Sequence, residues 1–175
     1  MGTSHLAHLQ VGTTASPRAL ELFAAAAGAA GRRVVVGALV TDPAGRIYVQ
    51  RRSLTRAVFP GCWDLVGGHV EPGESVLPAL EREVREETGW ALGVVGPVVE
   101  VLDWEASGVA RSEVDFLVTV AGDLLRPRLE PDKHGEGRWL TAGELHVLLE
   151  GRKPDDRWVH DVVARGFALL GGFAR

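Results

Sequence analysis

Between residues 33 and 41 the chain reads RVVVGALVT, a valine-rich run that predicts a strand, and residues 46–51 (RIYVQR) alternate as a second one. Asp42-Pro43-Ala44-Gly45 supplies turn chemistry between them, so the pair predicts a hairpin. Upstream, Leu20, Phe23, Ala24 and Ala27 recur at helical spacing behind Ser16-Pro17, an N-cap followed by proline at the first helical position, with Gly31 as a stop. Downstream, Trp63 to Val66 lead into Gly67-Gly68, where the backbone is free to approach neighbours closely. Ser75 is placed to cap a helix whose stripe is Val76, Leu77, Leu80 and Val84, with Pro78 in the first turn and Gly89 at the stop. Residues 94–104 (VVGPVVEVLDW) predict a strand broken at Gly96-Pro97, and residues 113–120 (EVDFLVTV) alternate as its returning partner across a loop at 105–111. A polar loop over 121–135 precedes a short strand at 136–141. Thr141 then caps a helix through Leu149, and a last helix spans 155–170.

This order, with helices that must bury their stripes against a mixed sheet, predicts an α/β fold of one domain over residues 32–173. Residues 1–31 form an N-terminal extension. Its first fifteen positions show no period and read as a mobile leader, with metal binding by His5 and His8 as the alternative. Its helix can pack on the sheet or on a partner chain, which leaves a homodimer open.

Composition narrows the function classes. With 46% hydrophobic and 24% charged residues the chain has globular character, and its net charge of −4 offers no general attraction to nucleic acid or anionic membranes. One cysteine, Cys62, permits neither an intrachain disulfide nor a cysteine-based zinc site, and it reads as a packing residue rather than a nucleophile. No apolar run approaches the roughly 20 residues that span a bilayer. A cytoplasmic protein without an extended nucleic-acid surface is expected.

The chemistry concentrates in Arg82-Glu83-Val84-Arg85-Glu86-Glu87. On a helix at about 100° per residue, Glu86 and Glu87 fall within about 60° of Glu83, at the shoulder of the apolar stripe. Three adjacent carboxylates repel each other, and a hard divalent cation such as Mg²⁺ or Mn²⁺ reverses that sign. A solvated acidic helix face is the other reading of the acids alone.

Their surroundings go further. Gly68, Glu74, Arg82-Glu83, aliphatic Val84, Glu86-Glu87, Gly89 and apolar Trp90 stand at the spacing of the Nudix box, which this segment resembles. Only Trp90 departs softly, since an aliphatic side chain is more usual there. The resemblance implies an α/β/α sandwich with a mixed sheet and a metal-dependent hydrolase that cleaves a diphosphate linkage in a nucleoside diphosphate derivative. It implies Glu83, Glu86 and Glu87 as ligands of Mg²⁺ (or Mn²⁺), with the Gly68 carbonyl joining them and Arg82 orienting the acids through Glu74 or a neighbour. Glu136, just before the Trp139 strand, is the favoured general base outside the box, ahead of Asp132 and His134, which read as loop surface.

Arg51, Arg52 and Arg56 suit phosphate contact and a solvated loop equally. Trp63 is a candidate platform for a base, as are Phe59, Trp104 and Phe116, although each of these is more often a core residue. Two alternatives stand beside the hydrolase. One is a non-catalytic nucleotide sensor. The other is an isopentenyl diphosphate isomerase, against which the absence of cysteine at Leu65-Val66-Gly67 counts. Which nucleotide derivative is bound is not encoded in any pattern of the chain.

Overall fold

The computed structural model describes residues 8–130 and 132–173. The element order is α1 (Pro17–Ala29), β1 (Arg33–Thr41), β2 (Ile47–Arg52), β3 (Trp63–Asp64), β4 (Val66–His69), α2 (Val76–Thr88), β5 (Ala91–Ala106), β6 (Val109–Ala121), β7 (His134–Leu140), a 3₁₀ helix (Ala142–Leu149) and α3 (Trp158–Phe173). The strands form one mixed sheet in the order β3-β2-β1-β6-β5, with β4 added to β1 and β7 added to β2. Among the described residues only β1 and β6 run parallel; their register, Val35↔Glu113 and Gly37↔Asp115, puts like-numbered parities on one face.

Both faces are covered. Val36, Ala38, Val40, Val114 and Phe116 pack with Leu20 and Phe23 of α1 and with Leu80 and Val84 of α2. On the opposite face Leu39 and Leu117 pack with Val147 and Leu148 of the 3₁₀ helix and with Val159 and Val163 of α3. The α/β/α sandwich expected from the resemblance is the observed architecture.

Helix α1 begins as its sequence dictates, with the Ser16 hydroxyl accepting from Ala19 N at 3.2 Å and Pro17 at the first turn. Its stripe of Leu20, Phe23 and Ala27 is buried in the chain's own core, which settles where that helix packs. The segment before it is docked too: Leu9 is buried, and Gly12 and Thr13 exchange backbone hydrogen bonds with Val98. This corrects the mobile-leader reading for residues 9–13. Residues 1–7, with His5, lie outside the described residues.

Two other expectations change. No break occurs at Gly96-Pro97: β5 runs 16 residues against β6 and absorbs the irregularity as register shifts between Leu92 and Glu100. The last helix begins at Trp158, because Pro154 and Asp155 form a turn closed by the Asp156 amide on the Lys153 carbonyl at 3.0 Å.

Trp90 has a physical reason. Its ring meets Tyr48 edge-on at 4.8 Å, lies 5.6 Å from Trp139, and donates to the Asp123 carbonyl at 2.9 Å. An indole here fills a gap between α2, β2 and β7.

Candidate active site

Helix α2 sets its acidic shoulder against the glycines of β4. Glu83 and Glu87 are buried, whereas Glu86 is exposed. A Cβ at Gly68 would stand 2.4 Å from Glu83 Oε1, so glycine is what lets that carboxylate reach the strand. At Gly67 a Cβ would meet the Val36 carbonyl oxygen at 2.2 Å, so the β1–β4 ladder closes only over glycine. The Gly67 amide donates to Glu87 Oε2 at 3.0 Å, and the Gln50 side-chain amide donates to the same oxygen.

Arg82 organises the segment. Its guanidinium grips Glu74 with two bonds, Nε to Oε1 at 3.0 Å and Nη2 to Oε2 at 2.9 Å. The same group donates to Glu83 at 2.7 Å, to Glu86 at 3.4 Å and to the His69 carbonyl at 3.0 Å. One arginine thereby ties the loop before α2 to two of the three acids.

Burial dominates the electrostatics. It pushes the Glu87 carboxyl up to about 8, against the bonds from Gly67 and Gln50, and raises Glu83 despite its pairing with Arg82. His134 is the nearest basic side chain to Glu87, with Nδ1 3.8 Å from Oε1, but burial first and then Arg52 and Arg56 hold it neutral, down to about 3. Two buried carboxyls without a full counter-charge, both oxygen donors, fit a hard divalent cation. Among the described residues no three side chains stand preset around one such ion, because Arg82 holds Glu83 and Glu86 while Glu87 faces Gly67.

The glycines have a second exposure. Gly67, Gly68 and His69 line a cavity of about 570 Å³ on the side of the sheet that α3 covers. Phe59, Trp104 and Trp158 contribute aromatic walls, and Arg52, Arg56, Arg111 and Arg152 contribute cations. Phe59 adopts a left-handed backbone with φ of 49°, and its ring lies 6.4 Å from that of Trp104. His69 is held neutral, down to about 4, by burial and then by Arg33 and Arg111, and it accepts from Arg111 Nε at 3.1 Å.

The expected residues divide. Arg52 lines the cavity and pairs with Asp64 at 3.1 Å. Arg51 does not line it; its Nε donates to the Gly61 carbonyl at 3.0 Å. Trp63 is a core side chain beneath the 3₁₀ helix, its indole 3.2 Å from Glu150, which corrects its reading as a stacking platform. Phe116 is likewise buried in the core. Glu136 is exposed on β7 with its carboxylate 3.9 Å from Arg51, whereas His134, read as loop surface, is the residue that reaches Glu87. Cys62 is buried, with burial raising its thiol. Sequence reasoning passed over Gln50, whose signal was a polar residue at the inward position shared with Tyr48 on β2.

Comparisons with known proteins identify the family and the fold. The family model for the NUDIX domain matches residues 31–162. An isopentenyl-diphosphate Δ-isomerase of Streptomyces griseus is 33% identical over 126 residues, 70% of this chain and 63% of that protein. The nucleoside triphosphatase NudI of Escherichia coli O1:K1 is 38% identical over 82 residues, 47% of this chain and 55% of that protein. The chain spans between 31% and 65% of the length of such curated relatives. Among solved structures, the MutT NUDIX hydrolase of Burkholderia pseudomallei superposes with a TM-score of 0.57 at 31% identity, covering 75% of this chain and 98% of that one. A NUDIX hydrolase of Nitrosomonas europaea, at 21% identity and a TM-score of 0.63 over 78% of this chain and 89% of its own, shares the fold.

Proposed function

The chain belongs to the NUDIX family, and from that premise we propose that it is a divalent-metal-dependent hydrolase that cuts a diphosphate linkage in a nucleoside diphosphate derivative. The observation that carries this reading is the placement of two buried carboxylates, Glu83 and Glu87, behind the same glycines that line an arginine-rich cavity. Glu83, Glu86 and Glu87, with the Gly68 carbonyl, would hold Mg²⁺ or Mn²⁺, which neutralises phosphate charge and acidifies a water when bound. Arg82 positions Glu83 and Glu86 through its grip on Glu74. Arg52 and Arg56 offer forks to phosphate oxygens at the cavity wall. The base that takes the water's proton is better drawn from the box acids than from Glu136, whose carboxylate is turned to Arg51.

The isomerase relatives make a second reading worth a test. Its chemistry would ask for a cysteine within Leu65-Val66-Gly67, and Gly67 has no room for any side chain against the Val36 carbonyl. Allylic diphosphate formation from isopentenyl diphosphate should be absent.

A panel of nucleoside diphosphate derivatives with Mg²⁺ or Mn²⁺, read by phosphate release and product mass, tests the proposal. At least one member should be cleaved, and Glu86→Gln and Glu87→Gln should each depress that rate by orders of magnitude without unfolding the protein. Tight binding of a nucleotide with no cleavage across the panel would replace the hydrolase by a sensor.

A further inference from the structure

The floor of the cavity carries two acids that the box does not use. Glu113 and Asp115 are two apart on β6, so both point to the cavity side of the sheet, where Leu117 instead packs into the core. Glu113 lines the cavity and is only 5% exposed; Asp115 is fully buried. Trp104 Nε1 donates to Glu113 Oε2. Among the described residues Asp115 takes no donor except the proton it shares in a hydrogen bond with Glu113, and its Oδ1 occupies the space that a Cβ at cavity-lining Gly37 would need. Burial, first of all, raises both acids; the charge of Asp64 comes next for Glu113 and that of Glu113 for Asp115.

One shared proton and the Trp104 N–H leave this buried pair short of donors for its oxygens, which is costly. Asp64 does not complete a cation site with them, because its oxygens are taken by Arg52 and by the Leu65 amide. What the pair lacks is N–H donors, and the walls beside it, Trp104 and Phe59, are aromatic and set apart by 6.4 Å. The unpartnered indole N–H of Trp158, another lining residue, adds a donor for a ring or sugar oxygen.

We propose that Glu113, backed by Asp115, reads the exocyclic amino group of a nucleobase seated in this cavity, so that the preferred ligands carry guanine, adenine or cytosine rather than uracil, thymine or hypoxanthine. Glu113 is the contacting residue and Asp115 the positioning one. The inference rests on the nucleotide-hydrolase reading for the site, but it concerns binding and is measured without turnover.

The test is the affinity of the wild-type protein for guanosine against inosine monophosphate, and for cytidine against uridine monophosphate, by calorimetry. The amino-bearing member of each pair should bind about tenfold tighter or more, as expected when a buried acceptor is left unpaired by the analogue. In Glu113→Gln, whose amide also donates, that ratio should fall to within about threefold, with the melting temperature showing that the variant is folded. Trp104→Phe, which frees Glu113 Oε2, gives an independent shift of the same ratio. Equal affinity for both members of each pair in the wild type, an unchanged ratio in Glu113→Gln, or no nucleotide binding at all overturns the proposal. Amino-selective binding without cleavage of any derivative would remove the hydrolase reading and leave this one standing.

Discussion

The Glu83 carboxylate lies directly behind Gly68, with 2.4 Å between its Oε1 and the point where a Cβ on that glycine would stand. The obstruction is a side chain, so it can yield, but Glu83 is buried and tied to Arg82 at 2.7 Å, so it must yield by leaving its place. Gly68→Ala should therefore keep the fold and lower the hydrolytic rate about 10- to 100-fold, the usual scale for displacing a ligand or its support. The rate on whichever derivative is cleaved, measured beside the melting temperature, decides it. A wild-type rate would mean that the position of Glu83 does not matter to the chemistry.

Gly67 presents the opposite case one residue away. Its Cβ would meet the Val36 carbonyl oxygen at 2.2 Å and the Gly37 Cα at 3.0 Å, and both belong to the backbone of β1. The ladder Val36↔Gly68 and Gly37↔Gly67 would have to part. Gly67→Ala should cost about 3 kcal/mol or more of stability, read as a lowered urea midpoint with an unchanged slope. A loss under about 1 kcal/mol would show that β4 can slide.

These two glycines and the acids behind them were legible in the sequence because each is fixed by local spacing: a helix period for the acids, a backbone demand for the glycines. Gln50, His134, Glu113 and Asp115 were not, because alternation along a strand separates two faces without saying what covers each. In EVDFLVTV alternation sets the acids at 113 and 115 on one face of the strand, and only the tertiary structure shows that α3 and the loop at 53–62 roof that face and make it the cavity floor. His134 was hidden by a different cause. It opens β7, and the pairing of that strand with β2, which turns it toward Glu87, spans a separation that no local pattern encodes.

Trp90 tests how far the core depends on its one soft departure from the family pattern. Its ring contacts Tyr48 and Trp139 and its N–H satisfies the Asp123 carbonyl at 2.9 Å. Trp90→Leu would leave a void between the rings and an unpaired carbonyl, at a cost of about 2–4 kcal/mol. Chemical denaturation measures it directly, and the residual hydrolytic rate at low temperature should be close to wild type. A stability within about 0.5 kcal/mol of wild type would mean that Tyr48 and Trp139 close the gap on their own.

The buried Glu87 carboxyl makes a prediction whose sign is fixed. Burial raises it to about 8 in the folded protein from an ordinary value of 4.5. Between those values the unfolded chain has released a proton that the folded protein keeps, so this group's contribution is complete below about pH 4.5 and is lost as the pH rises to about 8. In a chelator, the wild-type urea midpoint should fall from about pH 5 to about pH 8 more steeply than that of Glu87→Gln, whose amide does not titrate. Glu83, Glu113 and Asp115 are shifted in the same direction and are present in both proteins, so the difference reports position 87 together with its repulsion from Glu83. Mg²⁺ binds the ionised carboxylate, so adding it at about pH 8 should stabilise the wild type and do so less in the variant. Parallel pH profiles in chelator would show that Glu87 is ionised in the folded protein across this range, with Gly67 and Gln50 outweighing burial.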